Sequence, residues 1–113
     1  MKNSIIIILF LFSLVNTKAQ TFTELTREAW KKYEQKEYEA SAKLYEKAFL
    51  LDSTGDYTEY YNAACSWALA GNDSMAFANL NRAIVHDFFT LDRLQQDADL
   101  VTLRNKAEWK NVL

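Results

Sequence analysis

The chain has 113 residues, room for one domain, and half of them are hydrophobic, which suits a packed core and excludes the disordered class. Two glycines and no proline leave little to interrupt helices. A formal charge of −2 without any basic run gives no electrostatic reason to expect nucleic acid as a partner.

Residues 1–19 read as a signal peptide and not as part of the fold. Lys2 and the amino terminus supply positive charge ahead of the apolar run IIIILFLFSLV, residues 5–15. That run is too short for a membrane-crossing helix, which needs about 20 residues. Thr17 and Ala19 are spaced for signal peptidase, so cleavage is expected after Ala19, leaving Gln20 first. No cysteine follows the run, which disfavours a lipid anchor. The expected product is exported, periplasmic or secreted, without stable membrane insertion. Losing Lys2 and Lys18 takes its formal charge from −2 to −4.

The expected mature domain, 20–113, opens on Thr21-Phe22-Thr23-Glu24, the pattern of a capping box. A helix to about Glu34 follows, with Leu25, Ala29 and Tyr33 on one face. Gln35-Lys36-Glu37 must then turn without a glycine. A second helix, Tyr38 to Leu51, carries Ala42, Tyr45, Ala48 and Phe49 inward. Residues 52–56 form a polar linker. Asp56 and Glu59 signal the cap of a third helix, Tyr57 to Leu69. Gly71 suits the left-handed position after that helix, and Asn72 caps a fourth, Asp73 to Val85. Its buried stripe is Ala76, Leu80, Ala83 and Ile84.

From His86 the pattern changes. Phe88-Phe89 are expected to plug the end of the helical stack. Short helices are expected at Leu91 to Gln96, at about Asp99 to Arg104, and from Asn105 or Lys106 to Leu113. Asn105-Lys106-Ala107-Glu108 has the form of a cap. Leu94, Leu100, Leu103, Trp109 and Leu113 make an apolar face that would close the stack, whose last helix otherwise leaves a hydrophobic side in water.

Two stretches, 22–49 and 57–84, are copies offset by 35 residues. Leu25 answers Tyr60, Ala29 answers Ala64, Ser41 answers Ala76, Tyr45 answers Leu80, and Ala48 answers Ala83. Such a period marks a helical solenoid. With Tyr60, Ala63, Ala64, Trp67, Gly71, Ala76, Leu80 and Ala83 in place, the second copy resembles the tetratricopeptide repeat. The first copy departs from that pattern at Glu28, Lys32, Lys36 and Ser41, and no proline closes either repeat. The tail, with Asp97, Asp99-Leu100, Leu103-Arg104 and Trp109, resembles the ends of repeat arrays in exported bacterial proteins.

The resemblance covers nearly all of the mature chain. It implies an all-α, short α-solenoid with repeats at 22–52 and 57–86 and a capping segment at 88–113. It also implies a groove that binds protein or peptide, lined by Thr23, Arg27, Trp30, Tyr33 and Glu34, then by Thr58, Tyr61, Asn62, Cys65 and Leu69. Aromatic residues beside polar groups are the composition of a binding hot spot. Arg27 and Asn62 are placed to hold a peptide carboxylate. The competing expectation is that Trp30 and Tyr61 pack against the tail.

Catalytic chemistry finds little support. Cys65 and His86 are each the only residue of their kind, so neither an intramolecular disulfide nor a zinc site of such ligands can form. Cys65 lies mid-helix and reads as inert, and His86 reads as a partner for terminal carbonyls. Glycines at 55 and 71 alone cannot build a phosphate loop. Glu34, Glu37 and Glu39 read as solvated surface. No catalytic residue, cofactor or metal is therefore expected, and the chain is read as a non-enzyme. The leading expectation is an exported interaction module with a protein or peptide partner. The alternative is a self-assembling unit, a homodimer at simplest, because repeat stacks usually need about three repeats and this chain has two plus a cap.

Overall fold

A computed structural model describes residues 20–54, 57–85 and 91–113. The expected leader, the Asp56 cap, His86 and the Phe88-Phe89 plug lie outside the described residues. Within them every element is helical: α1 (Phe22–Glu34), α2 (Tyr38–Leu51), α3 (Tyr57–Leu69), α4 (Asp73–Val85), α5 (Leu91–Gln96), a 3-10 turn (Ala98–Leu100), α6 (Val101–Arg104) and α7 (Trp109–Val112). The first four carry the bounds that the capping and periodicity signals predict.

Local chemistry explains those bounds. Thr21 Oγ1 accepts from the Glu24 amide at 3.1 Å and so opens α1. Asn72 Oδ1 does the same for Met75 at the start of α4, also at 3.1 Å. The two helix ends that reverse the chain are copies of each other. Gly71 has φ 85°, its amide donates to Ala68 O, and the Asn72 amide donates to Trp67 O. Thirty-five residues earlier Lys36 has φ 63°, its amide donates to Tyr33 O, and the Glu37 amide donates to Lys32 O. Both are Schellman closures. The expected turn without glycine is thus made by a lysine in the left-handed region, with Lys32 Nζ 3.2 Å from the Glu37 carboxylate across it.

The helices pack in succession, α1 on α2, α2 on α3 and α3 on α4, in a solenoid-like stack of consecutive pairs. Alanines sit at the crossings: Ala29, Ala42, Ala48, Ala63, Ala64, Ala76 and Ala83 are all fully buried. Larger residues fill the space between. Leu25, Tyr45 and Leu80 are buried, and an aromatic seam runs from Phe22 through Phe49, whose ring centre lies 4.4 Å from that of Tyr60. Ile84, expected in the α4 stripe, is only half-buried against this core.

Two polar junctions cross the stack. Ser41 Oγ donates to Ala29 O at 2.7 Å and lies 2.9 Å from Ser66 Oγ. With its one proton used on the carbonyl, Ser41 is the acceptor from Ser66. The serine that replaces alanine in the first copy therefore joins α1, α2 and α3. Glu46 Oε1 on α2 accepts from Trp67 Nε1 on α3 at 3.1 Å and from Asn79 Nδ2 on α4 at 2.7 Å.

The tail joins the same core. Leu94, Leu100, Leu103, Trp109 and Val112 are buried in it. Its 3-10 turn packs on α3 and its closing helix α7 on α4. Arg104 braces the turn from inside, donating through Nη1 to Leu94 O at 3.1 Å and Asp97 O at 2.7 Å. Two expectations need correction. Residues 105–108 form a turn and not a capped helix start, because α7 begins only at Trp109 and Glu108 makes no side-chain cap. Leu113 is 64% exposed at the chain end, and its inward role falls to Val112 one residue earlier.

Candidate functional site

The outer faces of α1 and α3 lie side by side and hold two adjoining cavities. Residues spaced three or four apart on a helix share a face. Thr23, Thr26, Arg27 and Trp30 on α1 and Glu59 and Asn62 on α3 therefore surround one opening of about 370 Å³, with Tyr45 of α2 contributing the buried wall. Trp30 and Asn62 are shared with a smaller cavity of about 110 Å³, which continues past Tyr33, Tyr61 and Cys65 to the tail residues Arg93, Asp97 and Asp99.

The tail occupies the smaller half. Tyr33 Oη donates to Asp99, and Tyr61 Oη donates to Asp97. The Arg93 guanidinium lies 4.8 Å from the Tyr61 ring centre. Asp97 Oδ1 also accepts from the Asp99 amide at 3.0 Å, which folds the acidic pair into one turn. Burial pushes the Tyr33 and Tyr61 phenols well up, and the hydrogen bonds to Asp99 and Asp97 add to the rise. Both stay protonated and donate across the neutral range.

Cys65 lies beneath this turn, 4% exposed. Burial raises its thiol strongly, and the Asp97 and Asp99 carboxylates raise it further. Its Sγ and one oxygen of each aspartate lie within 4.8 Å of one another, a grouping of potential metal ligands that the sequence reading did not find. That reading paired cysteine only with histidine, and nothing local shows that 97 and 99 fold back onto 65. The phenols already engage both carboxylates, and a metal would need the thiolate that this environment disfavours. The cluster reads as a lock for the tail.

The larger half is open. Trp30 stacks on Tyr33 with ring centres 5.0 Å apart and remains 45% exposed. Arg27 is exposed and makes no hydrogen bond or ion pair among the described residues. Tyr45 is 1% exposed, and its hydroxyl makes no hydrogen bond of good geometry among the described residues. Burial and the Glu59 carboxylate push its pKa up, and the Asn62 side chain beside the hydroxyl opposes that rise.

Of the expected groove residues, the structure brings Thr23, Arg27, Trp30, Tyr33, Tyr61, Asn62 and Cys65 to these two cavities. Glu34 is exposed and Thr58 and Leu69 are half-buried, and none of the three lines either cavity. Tyr61 packs against the tail, as the competing expectation had it, whereas Trp30 packs on Tyr33. Sequence reasoning passed over Tyr45 as core. The available signal was a phenol standing where the second copy has Leu80.

Fold and face together define an all-α, solenoid-like stack of helix pairs whose outer face is half filled by its own tail. No family model matches the chain, and no curated protein and no solved structure matches it significantly. Among the described residues no helix is long and apolar enough to cross a membrane.

Proposed function

We propose that the chain is an exported, non-catalytic interaction module of the tetratricopeptide-repeat type that binds a protein or peptide segment along α1 and α3. The observation carrying this is Trp30, a large aromatic left 45% exposed at the mouth of a cavity of about 370 Å³. Such an anchor beside the Arg27 guanidinium has the make-up of a binding hot spot. A photo-cross-linking residue at position 30 or 62 should capture a partner in the native cell envelope. The same probe at Lys43 or Ala78, exposed on α2 and α4, should not. Capture only from positions 43 and 78 would overturn the groove reading.

Self-association is the second reading. Leu50 and Leu51 close α2 at 87% and 59% exposure, and Leu50 edges a depression of about 470 Å³ with Phe49, Tyr60 and Arg82. Contiguous exposed apolar surface of this kind serves association. Solution mass that rises with concentration, and falls back to the monomer in Leu50→Glu, would favour this reading over the first.

A further inference from the structure

We infer that two copies of the chain pair about a two-fold axis, each seating Leu50 in the Phe49–Tyr60 depression of the other and setting Asp52 against the other's Arg82. This rests on the self-association reading and names its surface and register.

The patch is complementary to itself in shape. Helix α2 closes on Leu50-Leu51 with Asp52 as its cap, and the two leucines stand out at 87% and 59% exposure. Beside Leu50 lies the depression of about 470 Å³, walled by the Phe49 and Tyr60 rings, whose centres are 4.4 Å apart. Leu50 stands on the rim of its own depression, so it is the leucine of a second copy that can enter it. A two-fold axis satisfies such a knob and hole twice, because the same patch then serves both subunits.

Charge is complementary across the same axis. On the knob side, exposed Asp52 accepts through Oδ1 from the Thr54 amide at 2.9 Å and the Thr54 hydroxyl at 2.6 Å. Those bonds hold its carboxyl below the usual carboxylate range, so it is ionised at neutral pH. It forms no ion pair among the described residues. On the hole side, the Arg82 guanidinium lies 5.8 Å from the Tyr60 ring centre and 4.0 Å from Glu46 Oε2. That ion pair is long, so the guanidinium keeps donors for a second carboxylate. Both groups are positioned before contact, which lowers the ordering cost of pairing. A different protein would have to bring an apolar knob and an acid in this spacing; the chain's own α2 end has both. The depression shares no lining residue with the cavities on α1 and α3, so pairing leaves them open and makes the particle bivalent.

The test reads the solution mass of the intact chain up to about 1 mM, because a contact of this size is expected to be weak. The mass should climb from monomer to dimer and stop there, since a two-fold contact closes on itself. Asp52→Arg and Arg82→Asp should each raise the dissociation constant roughly tenfold or more, because like charges then face each other twice. Mixed in equal amounts, the two variants should pair almost as tightly as the unaltered chain, because each mixed dimer recovers both opposite-charge contacts. A variant that had merely lost its fold would not be rescued by mixing. Growth beyond the dimer, association that neither variant weakens, or a mixture that fails to recover would each overturn this inference. The self-association reading would survive those three results, with its surface elsewhere or in another register. A chain that stays monomeric at about 1 mM sinks both, and the depression then belongs to a different protein.

Discussion

Lys36 shows how a single residue can hold a geometry that its side chain disfavours. Its copy, Gly71, has φ 85° with nothing within 4 Å of an added Cβ, so there the constraint is backbone conformation and not space. A left-handed L-residue costs roughly 1–2 kcal/mol, a strain that glycine does not carry. Lys36→Gly is therefore expected to raise stability by about 1 kcal/mol, seen as a higher denaturant midpoint at unchanged slope. Ser41 behaves in the opposite way. Ser41→Ala strands Ser66 Oγ and removes the donor to Ala29 O, and is expected to cost about 1–3 kcal/mol. The Ser41→Ala, Ser66→Ala pair should cost less than the sum of the two single changes, because the shared contact is lost only once. A lysine at 36 and a serine at 41 looked like departures from the repeat. Only the partners, three and twelve residues away, show that the backbone and the polar junction accommodate them.

At the scale of elements, α1 to α4 were legible because caps, periodicity and the 35-residue copy all agree. The tail was less so. Its helices span 4 to 6 residues, too short for periodicity to set a boundary, and Leu113 was placed inward where packing selects Val112. Trp109 was legible as a closing residue, and it is buried in the common core. Trp109→Ala should cost roughly 3–5 kcal/mol, the usual range for a buried tryptophan, and leave the domain partly unfolded by thermal melt. The acidic turn that docks on α3 adds a pH dependence. The Tyr33 and Tyr61 phenols are raised in the folded chain, from an unfolded value of about 10. Above that value the unfolded chain binds fewer protons than the folded one, so stability falls as pH rises. Below it their contribution is fully present. Urea midpoints should decline from about pH 9 upward, where the raised Cys65 thiol begins the loss, and the Tyr33→Phe, Tyr61→Phe double variant should flatten the part of the decline above about pH 10.

Taken whole, the molecule closes two helix pairs with a tail that reaches both the end of the stack and its outer face. The face was anticipated through the repeat resemblance, which implied Arg27, Trp30, Asn62 and Tyr61 as its lining. Its division into an occupied and an open half was not, because that depends on where residues 97–100 return in space. Their return gives the chain's lone thiol an unusual use. Cys65 is covered by the acidic turn and held protonated, so an alkylating reagent can reach it only when the turn lifts. The rate of alkylation is then a clock for undocking, read under native conditions without any added label. Asp97→Asn with Asp99→Asn should speed that clock several-fold while the four main helices keep their circular dichroism. A ligand seated over Trp30 without displacing the turn should leave the clock unchanged. One that takes the turn's place should make it run faster, so the same thiol reports which half of the face a partner enters.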